Sequence, residues 1–500
     1  MQKSISRRTL VNTGILGGTA AALGITAQHI TSVAFAEEQE HEEKPHLEDL
    51  QTDVAVIGGG LAGLVASLVA AQAGARVVLA EKLGFVGGSG ILTSAGIYAV
   101  ETDVVPPEIE TKDEMYDHII EMIEDEGTTD HVNLDRIRHL VDECSDVIAW
   151  LEGMGYVFAA QDYLIKDAKP HYHYLADESG GAGQVAILEK AATEAGVQIL
   201  TDTTCTSLLF EDGSVRGLSV EQKEGVFDIK AQAVVIACGG YGRNDEMIMR
   251  LNPQQLFSYT CTNAGATGEV LQMAADLGAA WDHEQYMITC GYTSDPENPA
   301  LANILYAAAM PLVDQTGCRI VDESLLWALN SRMTRDIENA PFYAIFDNAV
   351  AETADAVKEA IENGSHWVVS ANTLDELARK MNIRDVDAFL ASIEGYNEAE
   401  QTGEIDEFGL DPSRKAYVKE APFYGVLVVS LNAGTSGGIQ SKITTEVLDR
   451  SGEAIPGLFV AGEASNGDLY DRGYISGTSV LNCYVAGRDA GNAAAKFAGK

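Results

Sequence analysis

DVAVIGGGLAGLVASLVAAQAGARVVLAE, residues 53–81, decides the fold of this chain. Asp53-Val-Ala-Val-Ile57 is a short apolar run of β character, and Gly58-Gly-Gly60-Leu-Ala-Gly63 follows at once. The Ala- and Leu-rich stretch ending at Gly74 has helical character, and Ala75-Arg-Val-Val-Leu-Ala-Glu81 returns to a strand. Strand, glycine turn, helix and strand within about 30 residues is the pattern of a dinucleotide-binding unit. Gly58 makes the turn, Gly60 admits a pyrophosphate close to the backbone, and Gly63 permits tight helix–strand packing. The helix N-terminus then faces the phosphates. Glu81 closes the second strand where an acidic side chain accepts from ribose hydroxyls.

Working outward, Ala233-Val-Val-Ile-Ala-Cys-Gly239-Gly240 and Gly457-Leu-Phe-Val-Ala-Gly462-Glu463 read as further strands of the same sheet. Gly84–Gly96 is a second glycine-rich loop, placed for an isoalloxazine or its ribityl chain. A coenzyme met at both ends of the chain is typical of flavoproteins, which favours FAD over NAD.

The remaining composition narrows the class. The 500 residues are 46% hydrophobic and 22% charged, the balance of a globular protein rather than a disordered one. A net charge of −42 argues against a nucleic-acid binder, which needs a cationic footprint to release counterions. It suits solubility and leaves open docking to a basic electron-transfer partner. Residues 1–36 carry Lys3, Arg7 and Arg8, no Asp or Glu, a moderately apolar stretch, and Ala34-Phe35-Ala36 as a cleavage pattern. Arg7-Arg8 within S-R-R-T-L-V looks like a twin-arginine signal, so export of the folded protein to the periplasm or outer cell surface of a bacterium is expected. A transmembrane anchor is the competing reading; Asn12, Thr13 and several glycines weaken it, and no second span follows. Residues 37–50 are a charged linker. The seven cysteines show no C-x-x-C spacing, which leaves buried small hydrophobes as the main reading and a disulfide or assembled cluster as the other.

With these residues in hand, the sequence resembles the flavoprotein-subunit superfamily of fumarate reductase and succinate dehydrogenase, which also holds 3-ketosteroid dehydrogenases and exported flavin reductases. The likeness runs over nearly all of residues 50–500. It includes V-V-I-A-C-G-G-Y (234–241), A-T-G-E-V-L-Q-M-A (266–274), P-L-V-D-Q-T-G-C-R-I-V-D-E (311–323), M-T-R-D (333–336), G-T-S-G-G (434–438) and I-P-G-L-F-V-A-G-E (455–463), in family order. It implies an α/β fold, a Rossmann-like FAD-binding domain at 51–250 and 385–500, interrupted by an α+β capping domain at 251–384 that closes over substrate. Carried over residue by residue, the flavin contacts are Gly58, Gly60, Ala62, Gly63, Glu81, Ser89, Gly90, Gly96, Cys205, Gly239, Gly240, Glu269, Glu463, Ser479 and Val480. Ser89 stands where covalent members carry the flavin-linking His, so the resemblance implies noncovalent FAD. No metal is expected.

The catalytic positions depart from the family. Arg335 in M-T-R-D matches the Arg that protonates substrate carbon while flavin N5 delivers hydride; Arg332, one helical turn earlier, is its confounder, and a surface ion pair with Asp336 its bland alternative. The family's Glu and Arg relay falls on Asn303 and Tyr306, the carboxylate-binding His on Gly434, and the Arg gripping the second carboxylate on Tyr474, with Arg472 two residues away. The dicarboxylate clamp is therefore largely gone. Tyr286, Tyr292, Tyr306 and Tyr474 point to a larger neutral or aromatic substrate, although 18 tyrosines scatter some into any cap. His171 and His173, an H-x-H pair without a third ligand at metal spacing, fit a loop at the mouth of the substrate cleft.

The expectation is an exported FAD enzyme acting on CH–CH groups. It reduces an activated C=C bond with Arg335, Tyr306 and Tyr474 as catalytic residues, in the manner of anaerobic respiration. A separate haem or flavin donor supplies its electrons. The first alternative is 3-ketosteroid Δ1-dehydrogenation with a Tyr base; the second is a non-catalytic flavin electron carrier.

Overall fold

The computed structural model describes residues 44–126, 129–161, 172–256, 258–281, 287–292, 301, 309–323, 339–353, 355–410, 412–470 and 474–500. β1 (Val54–Ile57), α1 (Leu61–Gln72) and β2 (Val77–Ala80) fall where the sequence places them, with Val54 opposite Val77 and Ile57 opposite Ala80 in a parallel pair. β3 (Gln198–Leu200), β4 (Ala233–Ile236), β5 (Glu446–Leu448) and β6 (Ala454–Val460) complete a six-stranded sheet in the order β5-β6-β4-β1-β2-β3. All its pairs are parallel except the edge pair β5–β6. Every residue of β1, β2 and β4 is buried, as continuous apolar runs require when both faces of a parallel sheet are covered.

The two faces bury different partners. Val54, Val56 and Leu79 point into a core shared with α1, α2 (Gly180–Glu194) and α3 (Thr478–Phe497). Ala55, Ile57, Val78 and Val234 point the other way, against Leu218, Val220 and Phe227 of the antiparallel strands Thr204–Glu211, Ser214–Glu221 and Val226–Lys230. Small residues let α1 and α3 approach: a Cβ on Gly491 would lie 2.6 Å from Ala66 O, and one on Gly487 2.9 Å from Val65 Cβ.

A second sheet is organised by the 13-residue strand Phe423–Thr435. It pairs antiparallel with Phe342–Phe346, Val368–Ala371 and Met287–Tyr292, and parallel with Tyr259–Thr260. Its apolar side chains Val426 and Val428 are buried with Phe342 and Phe346, and the Tyr424 ring stacks on Phe346 at 5.4 Å. Helix Val386–Thr402 buries Phe389 and Ile393 against Val313, Ile345 and Leu377. Helix 386–402 and strand 423–435 thus both pack with this second sheet.

One departure from the sequence reading concerns His173. It sits fully buried in strand Tyr172–Leu175, paired with Ile97–Tyr98 and Phe158–Gln161, not in a cleft-mouth loop. Burial drives its pKa down to about 4, so the ring is neutral, and its Nε2 bonds Thr102 Oγ1 at 2.7 Å. His171 lies outside the described residues. Among the described residues no helix is long and apolar enough to cross a membrane.

Candidate active site

The C-terminal ends of β1, β2, β4 and β6 open on a cleft of about 910 Å³, including its solvent-open mouth. This is where open parallel sheets place their ligands. The glycine turn is built by steric necessity. Gly58 has φ +105°, and a Cβ there would meet Ala237 O at 2.4 Å; one on Gly63 would meet Gly58 O at 1.9 Å. Gly60 differs: the nearest atom to its missing Cβ is Gly88 Cα, 4.0 Å away. It leaves the floor of the cleft clear at the head of α1, whose N-terminus has no side-chain cap. Open floor and uncapped amides together fit a dinucleotide pyrophosphate.

Glu81 reaches into this turn. Its Oε2 accepts from Gly59 N–H at 2.6 Å and its Oε1 from Leu83 N–H at 2.8 Å, so it braces the loop and keeps one lone pair per oxygen for a ribose. Ser89, in the second glycine loop, accepts from both the backbone N–H and the side-chain amide of Asn263, at 3.3 and 3.0 Å. Glu463 closes the far wall. Burial raises its pKa, opposed by hydrogen bonds from Thr435. Cys205, Cys238 and Cys483 line the same cleft as free thiols; burial pushes Cys205 and Cys483 up to about 12, which makes them inert at neutral pH. Cys318, which is exposed, departs from the buried-hydrophobe reading of the cysteines.

Of the expected flavin contacts, Gly58, Gly60, Ala62, Glu81, Ser89, Gly90, Cys205, Gly239, Glu269 and Glu463 line this cleft. Gly63 and Gly240 stand one layer behind it, where their missing side chains make room for backbone or for Thr435 and Glu463. Gly96 lies under the Tyr174 ring, 2.4 Å from where its Cβ would be, and Ser479 and Val480 sit in the first turn of α3. The sequence reading missed Lys82 and Asn263. Lys82 Nζ bonds Glu269 Oε1 at 3.0 Å and Thr267 Oγ1, giving the cleft a cation beside its acid. A Lys directly after the strand-ending acid was the available signal; Asn263 offered none.

Tyr474 is half-buried with its ring edge-on to Tyr470 at 5.3 Å, beside Tyr172 and the cleft thiol Cys483. Burial raises its pKa well above the ordinary phenol value. Arg335, Tyr306, Arg332, Asn303, Tyr286 and Arg472 lie outside the described residues. Among the described residues no His, Cys, Asp and Glu cluster that would hold a metal is found.

Residues 53–479 match the family model for the FAD binding domain, and the chain belongs to that family. It is 28% identical over 458 residues to the NADH:fumarate oxidoreductase of Klebsiella pneumoniae, covering 89% of this chain and 48% of that one. The chain thus spans about half the length of that relative. It is 28% identical over 495 residues to the vinyl phenol reductase of Lactiplantibacillus plantarum, covering 89% of this chain and 96% of the relative. Among solved structures, a 3-ketosteroid-Δ4-(5α)-dehydrogenase from Rhodococcus jostii RHA1 superposes with a TM-score of 0.74 at 24% identity, over 89% of this chain and 97% of that one. The curated relatives it resembles thus include reductases of fumarate and of vinyl phenol, and the solved neighbour shares its fold.

Proposed function

We propose that this chain reduces an activated C=C bond in a bulky neutral or aromatic substrate, with noncovalently bound FAD and an external haem or flavin electron donor, after export by the twin-arginine route. When bound, FAD supplies the hydride. One observation carries the substrate class: the two positions where the superfamily grips carboxylates hold Gly434, near the end of the strand Phe423–Thr435, and Tyr474, edge-on to Tyr470. A missing charge-assisted hydrogen bond forfeits about 1.5–3 kcal/mol, so a dicarboxylate loses roughly 10- to 100-fold in affinity per lost cation. The tyrosines supply flat apolar area and hydroxyls in its place. The vinyl phenol reductase relative supports an aromatic substrate.

Direction follows from proton chemistry. A Tyr that abstracts a proton from a ketosteroid needs an accessible phenolate, and the burial that raises the Tyr474 pKa disfavours one. As a neutral phenol it orients a substrate oxygen, while Arg335 delivers the proton to the substrate α-carbon and Tyr306 recharges it. Arg335→Met is expected to lose at least about 100-fold in turnover with FAD retained, and Arg332→Met far less. Equal losses for the two would remove Arg335 from the role.

The deciding experiment is an anaerobic reoxidation screen of dithionite-reduced protein against vinyl phenols, cinnamates, steroid enones and fumarate. Reoxidation by an aromatic or steroid enone is expected. Fumarate turnover matching the best of these, or oxidation of a saturated ketosteroid alone, refutes the proposal. Acid precipitation should release all flavin as FAD; flavin left on the denatured band contradicts noncovalent binding at Ser89.

A further inference from the structure

Thr435 stands one residue beyond Gly434 and is fully buried. Its backbone N–H and its hydroxyl both donate to Glu463 Oε1, at 2.8 and 3.1 Å. Its carbonyl accepts from Asn466 Nδ2 at 3.2 Å, and Asn466 Oδ1 in turn accepts from Asn482 Nδ2 at 3.2 Å. Asn482 belongs to α3 and also donates to Gly462 O at 3.4 Å. The packing around this chain of bonds has no slack: a Cβ on Gly240 would lie 2.0 Å from Thr435 Oγ1 and 2.3 Å from Glu463 Oε1.

Two features make this more than core satisfaction. Thr435 commits its N–H, hydroxyl and carbonyl to residues of the nucleotide half, although it ends a strand of the second sheet. Glu463 is at once its partner and a wall of the cofactor cleft. A buried hydrogen-bonded network holds one geometry, because each bond lost in a dry site leaves a polar group without a partner. Asn432 adds a second tie, donating to Gly242 O at 3.3 Å and accepting from Gly434 N–H at 3.0 Å. The Gly434 backbone is therefore gripped from both flanks.

We infer that Thr435 is a positioning residue that fixes the Gly434 backbone against the cofactor cleft, and that Glu463 couples FAD occupancy to the order of this strand end. The consequence for substrate rests on the proposed reading of Gly434 as a substrate-facing position; the coupling itself does not. A cofactor that fills the cleft restrains the Glu463 carboxylate from one side, and the restraint passes through Thr435 to the segment that meets substrate. The absence of a side chain at Gly434 makes this bracing matter, because only the backbone is left to shape the site there.

The test is backbone amide exchange over residues 430–439, in holoprotein and in protein produced under flavin limitation, with FAD affinity measured in parallel. In the wild-type chain FAD is expected to slow exchange at 434–436 by about tenfold, the weight of one buried hydrogen bond. Thr435→Val keeps the strand shape and N–H but deletes the hydroxyl. It should raise exchange in the holoprotein by about tenfold while FAD affinity stays within about threefold, and Thr435→Ser should restore the slow rate. Equal exchange with and without FAD in the wild type overturns the coupling. Exchange in Thr435→Val equal to wild type overturns the positioning role. No substrate enters the measurement, so a wrong substrate class and a wrong coupling give different results. Should Thr435→Val fail to fold, the wild-type comparison still decides the coupling, and Thr435→Ala, which also lacks the hydroxyl, decides positioning: faster exchange than wild type is expected, and equal exchange overturns the role.

Discussion

At the β1–α1 turn, a Cβ on Gly63 would lie 1.9 Å from Gly58 O, and the structure closes because nothing is there. In the second sheet's layer the closing element is Arg319. It gives two bonds to Glu323, at 2.8 and 2.6 Å, and one to Asp406 at 2.5 Å, while Lys415 meets the same Asp406 at 2.6 Å over the Tyr396 ring. All four of these charged side chains are nearly or wholly buried. The nucleotide half has a buried cation too, Arg136 on Asp468 and Ser465, but it pins one loop and not a whole layer. One region excludes side chains to admit a cofactor; the other buries charge to hold together elements 96 residues apart, from Arg319 to Lys415. Shape is therefore unforgiving in the first, and charge balance in the second.

The largest effect should come from breaking the shape rule. Gly63→Ala forces backbone apart and should cost more than about 4 kcal/mol, with FAD binding abolished. Gly60→Ala separates the two uses of glycine. Its φ of −72° suits any residue and its Cβ would meet nothing closer than 4.0 Å, so stability without FAD should stay within about 0.5 kcal/mol while FAD affinity collapses. Chemical denaturation of flavin-free protein and flavin titration read the two quantities apart. A Gly60→Ala protein that binds FAD normally would show that the pyrophosphate does not lie over the turn.

The charge rule comes next. Lys415→Met removes one of the two cations on Asp406 in a dry site, leaving Arg319, and should cost about 3 kcal/mol. Restoring neutrality with Lys415→Met/Asp406→Asn should recover part of that, where no second change repairs Gly63→Ala. Acid probes the same residue. Burial alone would raise the Asp406 carboxyl, but the bonds from Lys415 and Arg319 outweigh it and hold it at about 2 against an ordinary 3.8. A depressed carboxyl contributes stability above its unfolded value that is lost as pH falls, here between about 4 and 2, worth about 2 kcal/mol. Glu323, raised by burial, works in the opposite sense and softens this limb. Asp406→Asn should flatten the loss of stability below pH 4; an unchanged acid limb would mean other carboxylates dominate it.

The same contrast explains what the sequence discloses. Steric exclusion is written locally: Gly58, Gly60 and Gly63 sit at fixed spacing in one turn, so β1, α1, β2 and the cofactor class are readable there. The second layer is written across distance. Arg319 and Glu323 lie one helical spacing apart, but Asp406 and Lys415 arrive from another part of the chain, and nothing in either stretch names its partner. The strand Phe423–Thr435 is a plain apolar run in sequence; only its pairing with three antiparallel neighbours shows that it belongs to the second sheet. Glu463 was legible through its motif, whereas Asn263 and Asn466 act through contacts that isolated asparagines do not advertise.

The smallest effect tests whether a rim ion pair in the nucleotide half carries as little weight as its exposure suggests. His139 Nε2 lies 2.8 Å from Asp489 Oδ2, tying helix Leu134–Asp142 to α3, and both side chains are about 29% exposed. The bond to Asp489 raises the His139 pKa above the ordinary 6.5, more than partial burial lowers it. A raised histidine contributes stability that is fully present below its unfolded value and is lost as pH climbs through its folded value. The pair should therefore help at pH 6 and fade on the alkaline side of 6.5. Solvent screening limits it to about 0.2–1 kcal/mol. His139→Gln should lower stability at pH 6 by that amount and leave it nearly unchanged at pH 9, measured by denaturant midpoint at both values. A loss as large as that of Lys415→Met, or one that persists at pH 9, would mean the nucleotide half also leans on charge, and the distinction between the two regions would fall.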